Sequence, residues 1–144
     1  MHIILPVTLA MAGACALINC WLAIRIGALR IRRKIMIGAG GDVLVETRMR
    51  AHANFVEYTP FVLLLVGLIE LASGSSTWLW GVAAAYVVAR VLHPIGMERA
   101  EILRGLATGV TILTLAGLGL YAAAIPFLTF QTAPETRLES IPPA

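Results

Sequence analysis

The chain has 144 residues, of which 59% are hydrophobic and 13% are charged, and its formal net charge is +3. Soluble domains carry about 25% charged residues, so this composition excludes an ordinary soluble enzyme and indicates an integral membrane protein. The positive charge does not indicate a nucleic-acid-binding protein, because the arginines flank apolar segments and form no separate basic domain.

Four apolar segments approach the ~20 residues that a helix needs to cross the bilayer. They cover about residues 3–24, 54–72, 77–95 and 105–128. We therefore predict an all-α integral membrane four-helix bundle with antiparallel, up-down helices. Residues 1–130 form its single domain. The proline-containing segment 131–144 is predicted to be a mobile polar tail.

The connection between the first two segments is predicted as a loop from about 25 to 47, with a flexible turn at 38–42. Its basic run, residues 30–34, is expected to contact the anionic headgroups of membrane lipids. Cys15 and Cys20 lie in the first segment, point away from each other and have no neighbouring carboxylate or histidine. We therefore expect neither a disulfide between these cysteines nor a metal site.

The basic residues are distributed asymmetrically along the chain. Ten of the eleven lie near the connection between the first and second segments or near that between the third and fourth: Arg25, Arg30, Arg32, Arg33, Lys34, Arg48, Arg50, Arg90, Arg99 and Arg104. The positive-inside rule places both connections in the cytoplasm and both termini outside. With its compact loops and no organelle signal, the protein is predicted to reside in a bacterial inner membrane with periplasmic termini.

Three polar residues precede the apolar part of the second segment. Arg50, Asn54 and Glu57 are spaced i, i+4, i+7, which puts them on one face of a helix. A charge near the bilayer centre costs about 2.5–3.5 kcal/mol, so this face is predicted to bind a polar ligand. The alternative is that Arg50 and Glu57 form an ion pair that orders the bundle.

Two further polar groups are expected at the same side of the membrane. The third segment ends in the run from Arg90 to Met97, which contains His93, Pro94 and Gly96, and Pro94 and Gly96 are predicted to terminate the helix. His93 is then either a cap for the free carbonyls of the helix end or a functional donor. Residues 98–104 open the fourth segment and carry two carboxylates and two arginines.

The run from Arg50 to Pro60 resembles the signature of the MAPEG superfamily, the membrane-associated proteins in eicosanoid and glutathione metabolism. That family has Arg-Ala-x-x-Asn-x-x-Glu-x-x-Pro in its second helix, and this chain matches each fixed position. The resemblance extends from Arg30 through the fourth helix. It implies a homotrimer of four-helix bundles that binds glutathione near the cytoplasmic face, between adjacent subunits.

The resemblance also implies roles for individual residues. Arg50 pairs with a glutathione carboxylate, whereas Asn54 and Glu57 hold the peptide and amino groups, with Tyr58 close by. Arg30, at the end of the first helix, matches another arginine of the family's site. The spacing is compatible, because Arg50 and Glu57 are about 10 Å apart along a helix and an extended tripeptide is about as long.

By the same resemblance, Arg104 matches the arginine that faces the glutathione sulfur. A guanidinium there favours the thiolate, which is the nucleophile. The eicosanoid-forming members have tyrosines where this chain has His93 and Met97, and many members have an arginine at Thr47. His93 can donate a hydrogen bond to a thiolate and Met97 cannot, so Arg104 and His93 are the predicted catalytic residues.

These patterns lead to one main functional hypothesis and two alternatives. The main one is a glutathione transferase of the microsomal type, or a peroxidase, that acts on lipophilic electrophiles with glutathione as co-substrate. The first alternative is a non-catalytic protein with the same fold. The second is a small four-helix transporter that uses Glu57, against which the one-sided distribution of arginines argues.

Overall fold

The computed structural model of the protein describes residues 4–130, which form four helices and, within that range, no strand. The helices are α1 (Pro6–Arg33), α2 (Val43–Ser73), α3 (Thr77–Arg99) and α4 (Glu101–Phe130). Each is long and apolar enough to cross a membrane. The prediction of an all-α protein with four membrane-spanning helices is confirmed, and the predicted tail 131–144 lies outside the described residues.

The first two helices extend well beyond their apolar segments. The predicted loop from about 25 to 47 is wrong, since α1 continues to Arg33 and α2 already begins at Val43. Arg and Lys are good helix formers, so the helix propagates past the hydrocarbon layer. The start of α2 is fixed by Asp42, whose carboxylate accepts hydrogen bonds from the backbone N–H groups of Leu44 and Val45 at 2.9 and 3.1 Å.

The third helix does not end at Pro94 and Gly96, as the sequence predicted. It continues to Arg99, with Pro94 inside it. A membrane helix tolerates an internal proline because neighbouring helices satisfy the freed backbone. Gly96 has another role: a Cβ atom there would lie 2.5 Å from the backbone nitrogen of Arg104, so the glycine lets the end of α3 touch the start of α4.

The core is a stripe of buried residues spaced three or four positions apart, the repeat of left-handed helix packing. In α3 the stripe comprises Leu79, Ala83, Tyr86, Arg90 and His93. In α1 it comprises Val7, Met11, Cys15, Ile18 and Leu22. Polar residues therefore occupy core positions in the second half of α3.

One end of the bundle, which we call the Glu70 end, is held by a buried carboxylate. Glu70, in the last turn of α2, is 1% exposed. It accepts hydrogen bonds from the backbone N–H groups of Val7 and Thr8 at 2.9 and 2.8 Å. The hydroxyls of Thr8 and Ser75 also donate to it, at 2.6 and 2.7 Å. Glu70 thus caps the first turn of α1, whose own N-cap residue, Leu5, makes no side-chain hydrogen bond.

The opposite end, which we call the basic end, carries a second carboxylate that joins three helices. Glu98 of α3 accepts hydrogen bonds from Arg48 of α2, at 2.9 and 3.2 Å, and from Arg25 of α1. Arg48 also donates to the backbone carbonyl of Arg25 at 3.0 Å. These contacts fix the level at which α3 meets the two longer helices.

The Glu70 cap leads to a stability prediction. In Glu70→Ala, two backbone donors of α1 lose their acceptor in an apolar environment, so we expect the free energy of unfolding to fall by about 1.5–3 kcal/mol. Denaturant unfolding of the detergent-purified protein, followed by circular dichroism, measures this change. Glu46→Ala removes an exposed carboxylate from the same helix and serves as the control. Equal stability of the two variants would contradict the capping role.

Candidate functional site

The three polar residues of α2 have different environments. Arg50 and Glu57 are exposed, whereas Asn54 is half-buried. Within residues 4–130, the side chains of Arg50 and Glu57 form no hydrogen bond and no ion pair, and they do not pair with each other. The intrahelical ion pair considered from the sequence is therefore absent, and both charges are available to a partner.

Asn54 is held by an arginine from the neighbouring helix. Arg90 of α3 is 2% exposed, and its Nη1 donates a hydrogen bond to Oδ1 of Asn54 at 3.0 Å. Its Nη2 donates to the hydroxyl oxygen of Thr111 in α4. That hydroxyl donates in turn to the carbonyl of Ala107 at 2.9 Å. One guanidinium therefore connects α2, α3 and α4.

The charge of Arg90 is not neutralised within the described part of the subunit. No described carboxylate forms an ion pair with it, and its Nε is buried without a hydrogen-bond partner. The aromatic ring of Tyr86, 5.5 Å from the guanidinium carbon, offers partial compensation. A buried cation without a counter-ion is costly, so this region favours a nearby anion.

The buried polar column continues one turn toward the Glu70 end. Tyr86 is fully buried, and its hydroxyl is hydrogen-bonded to that of Thr59 at 3.0 Å. Residues of α2 and α3 thus face each other through polar groups at two levels, Thr59 with Tyr86 and Asn54 with Arg90. These pairs set the rotation of α2 about its axis.

His93 lies one turn beyond Arg90 and is 5% exposed. The alternative that it caps the end of α3 does not hold, because the helix continues for six residues to Arg99. Gly96, three residues further along α3, is in close contact with the backbone of Arg104. The structure therefore brings two of the predicted residues, His93 and Arg104, into one neighbourhood.

Arg104 occupies the first turn of α4, on the outside of the subunit. Its side chain is 46% exposed and donates to the carboxylate of Glu101 at 2.9 Å. The tight contact with Gly96 positions this turn against the end of α3. Exposed ion pairs of this kind contribute little stability, so the guanidinium is free to exchange Glu101 for another anion.

Of the other two predicted ligands, Tyr58 lies next to the α2 face and Arg30 lies on α1. Tyr58 is half-buried and follows Glu57 on α2. Arg30, in the last turn of α1, donates from Nη2 to the backbone carbonyl of Met36 at 2.9 Å. The described contacts of one subunit do not join Arg30 to Arg50, Asn54 or Glu57. Among residues 4–130, no cluster of three or more His, Cys, Asp and Glu could hold a metal ion.

Thr111 is a polar residue that sequence reasoning missed as part of this region, whereas Arg90 was included in the polar run at the end of the third segment but was given no role. From the sequence, Arg90 was grouped with the cations near the connection between the third and fourth segments. In the structure it is buried in the bundle. The alternating spacing from Leu79 through Tyr86 was the available signal, because its next position is Arg90. Thr111 gives a weaker signal, since an isolated threonine in an apolar helix often bonds to its own backbone.

Comparisons with known proteins agree with the sequence signature. The model of the MAPEG family matches residues 8–124. The inner membrane protein YecN of Escherichia coli K12 is 30% identical over 71 residues, which cover 49% of this chain and 53% of the relative. The protein of the same name from E. coli O6:H1 matches to the same extent. The chain thus spans about half the length of the curated relatives it matches.

The bridging role of Arg90 can be tested by a conservative substitution. In Arg90→Lys, the ammonium cannot reproduce the planar fork that reaches both Asn54 and Thr111. We expect a loss of about 1.5–3 kcal/mol in the free energy of unfolding, measured in detergent. Arg99→Lys, which alters an exposed arginine of the same helix, serves as the control. If both variants were equally stable, Arg90 would not be the connection that joins the three helices.

Proposed function

This chain belongs to the MAPEG family, and on that premise we propose that it is a membrane protein that binds glutathione. In this proposal three antiparallel four-helix bundles form a homotrimer, and each glutathione lies between adjacent subunits near the basic end. That end faces the cytoplasm, and both termini are periplasmic. The E. coli relative is named an inner membrane protein, which supports the same membrane for this chain.

The exposed, unpaired Arg50 and Glu57 are the observation that carries this proposal. Ser73 is the last residue of α2, and Glu57 lies about 24 Å from it along the helix axis. Glu57 therefore lies within a hydrocarbon layer of ~30 Å that begins at the Ser73 end of the helix. A charge facing lipid at this depth is costly. Contact with a neighbouring subunit and with a polar ligand would remove that cost.

Glutathione has the charge pattern that this face requires. It carries two carboxylates and one ammonium, and Arg50 and Glu57 offer one cation and one carboxylate about 10 Å apart along α2. Arg50 binds a carboxylate through its two-pronged guanidinium, and Glu57 accepts from the ammonium. Tyr58 lies beside Glu57, and Arg30 adds a further cation to the site.

The hydrogen bond from the buried Arg90 determines which atoms of the Asn54 side chain can contact glutathione. Because Oδ1 of Asn54 accepts from Arg90, the amide nitrogen is left with its two donors. In the proposed complex it donates to a carbonyl of the tripeptide. Arg90 is therefore a positioning residue: it fixes the orientation of the Asn54 amide and adds positive potential near an anionic ligand.

Arg104 and His93 are the proposed catalytic residues. The guanidinium of Arg104 stabilises the glutathione thiolate, which is scarce in a free thiol with a pKa of about 8.5. In this proposal His93 donates a hydrogen bond to the sulfur, which lies where α3 and α4 meet; the close approach of Gly96 to the backbone of Arg104 at this junction supports that position. The positive charges near that point favour the anion over the thiol.

Two reactions are open to such a thiolate. In the transferase reaction it attacks the carbon of a lipophilic electrophile, a carbon–sulfur bond forms, and the electrophile's leaving group departs or its new anion takes a proton. In the peroxidase reaction a hydroperoxide is reduced to an alcohol and water, while two glutathione molecules are oxidised to a disulfide. Both substrates can enter laterally from the bilayer.

A pair of arginine variants tests the proposal. Arg50→Ala removes a charge-assisted hydrogen bond to a carboxylate, so we expect its affinity for glutathione to fall about tenfold or more. Arg104→Ala should still bind glutathione but lose the ultraviolet absorbance of the thiolate. Isothermal calorimetry and difference spectroscopy on the purified protein measure the two effects. Arg32→Ala, an exposed cation outside the site, should behave as wild type.

Each negative outcome has a defined meaning. Absence of glutathione binding to the wild-type protein would overturn the proposal. Binding without a thiolate signal would favour the non-catalytic alternative, in line with Met97 at the position where the eicosanoid-forming members have a tyrosine. Proton-coupled uptake into liposomes, abolished by Glu57→Gln, would favour the transporter.

A further inference from the structure

A cleft of 670 Å³ lies at the basic end, beside the last turns of α1 and the loop that follows. Its lining consists of Gly27, Arg30, Ile31, Lys34, Ile35 and Met36. We call it the α1 cleft. The first four of these residues are spaced i, i+3, i+4, i+7, so they form one face of the helix end. The cleft combines two cations with apolar side chains.

The two cations of the α1 cleft are not neutralised by the described residues. The neighbouring Arg33 forms an ion pair with Asp42 at 3.2 Å, but neither Arg30 nor Lys34 pairs with a described carboxylate. The Nε of Arg30 is also buried without a hydrogen-bond partner. The cleft is therefore lined by two cations that no described carboxylate neutralises.

The apolar side chains around the α1 cleft face outward. Ile31 is 81% exposed, Met36 is 90% exposed and Ile37, the next residue of the loop, is 88% exposed. Large apolar side chains grouped in this way indicate a contact with lipid or with another molecule. Cations and exposed apolar groups together are typical of a surface that lies in the bilayer interface.

The length of α1 places the cleft at the level of the lipid headgroups. Its 28 residues extend about 42 Å at 1.5 Å per residue. A bilayer is about 40–45 Å thick when the headgroup layers are included. Because α1 begins at the Glu70 end, its last turn reaches the opposite headgroup layer.

The loop that closes the α1 cleft has a defined structure. Lys34 adopts the left-handed conformation, with φ of 57°, and ends α1 with its N–H bonded to the carbonyl of Ile31 at 3.2 Å. The hydrogen bond from Arg30 holds the carbonyl of Met36. Gly40, with φ of 58°, packs so closely that a Cβ atom there would lie 3.0 Å from the side chain of Ile35. The positions of the cations are thus set before a ligand arrives.

We propose that the α1 cleft binds the headgroup of an anionic phospholipid. Lys34 and the free side of the Arg30 guanidinium contact the phosphate, and Ile31 and Met36 contact the glycerol and the upper acyl chains. The inference does not depend on the glutathione site.

Lys34 provides the test, because Arg30 is also a proposed glutathione ligand. Lys34→Asn removes the charge but keeps a residue that tolerates the left-handed conformation. Native mass spectrometry of the purified full chain in a neutral detergent, titrated with phosphatidylglycerol or phosphatidylcholine, measures binding of each lipid. We expect wild type to prefer phosphatidylglycerol, and Lys34→Asn to lower that affinity about fivefold.

Three comparisons make the test decisive. Arg32→Gln removes a charge from the same turn but from another face, and its effect should stay within about twofold. Met36→Ser should weaken both lipids without changing the oligomeric state. Glutathione binding of Lys34→Asn should equal that of wild type.

Several results would overturn the inference. One is equal binding of the two lipids by the wild-type protein. Another is an equal loss of phosphatidylglycerol affinity in Lys34→Asn and Arg32→Gln, because that result would indicate attraction by the overall positive charge rather than by the cleft. A change of oligomeric state in Met36→Ser would mean that a second copy covers the cleft. Competition by soluble glycerol phosphate at the affinity of the lipid would mean that the site takes a free anion.

Discussion

The guanidinium of Arg90 is the point on which the arrangement of α2, α3 and α4 depends. It lies inside a membrane bundle, donates to Asn54 and Thr111, and has no described carboxylate to balance it. Lipid tails are as apolar as leucine side chains, so apolar burial does little to choose one helix arrangement over another, and such polar contacts gain importance. Because Arg90 orients Asn54, it also determines how the polar face of α2 is presented. Arg50 and Glu57 then point outward, one turn before and one turn after Asn54.

Carboxylates perform the equivalent task at the two ends of the bundle. Glu70 gathers four hydrogen-bond donors and ties the start of α1 to the end of α2. Glu98 joins three helices through Arg25 and Arg48. All three anchors make side-chain hydrogen bonds within the described chain, although the charge of Arg90 has no carboxylate to balance it. Arg50 and Glu57 differ, because their charges have no partner there, and this contrast distinguishes residues that build the fold from those proposed to bind glutathione.

The sequence predicted the number of helices and their apolar parts, since hydrophobic length is a strong signal. It failed where helices continue without apolar residues: α1 runs on through Arg33, because arginine and lysine favour helix as readily as leucine. It also failed at Pro94, because local propensity cannot foresee that packing against α4 keeps a helix intact. The face of Arg50, Asn54 and Glu57 followed from spacing alone. The bond from Arg90 to Asn54 did not, because it depends on the rotation of one helix against another.

A structure of the purified protein with bound glutathione, determined by electron cryo-microscopy, tests the central claim most directly. We expect a trimer with glutathione between subunits, a carboxylate on Arg50, the ammonium on Glu57, and the sulfur near His93 and an Arg104 guanidinium. We also expect that Asn54 keeps its bond to Arg90 while its amide nitrogen donates to the tripeptide. An intersubunit ion pair between Arg50 and Glu57 that leaves no space for a ligand would contradict the central claim.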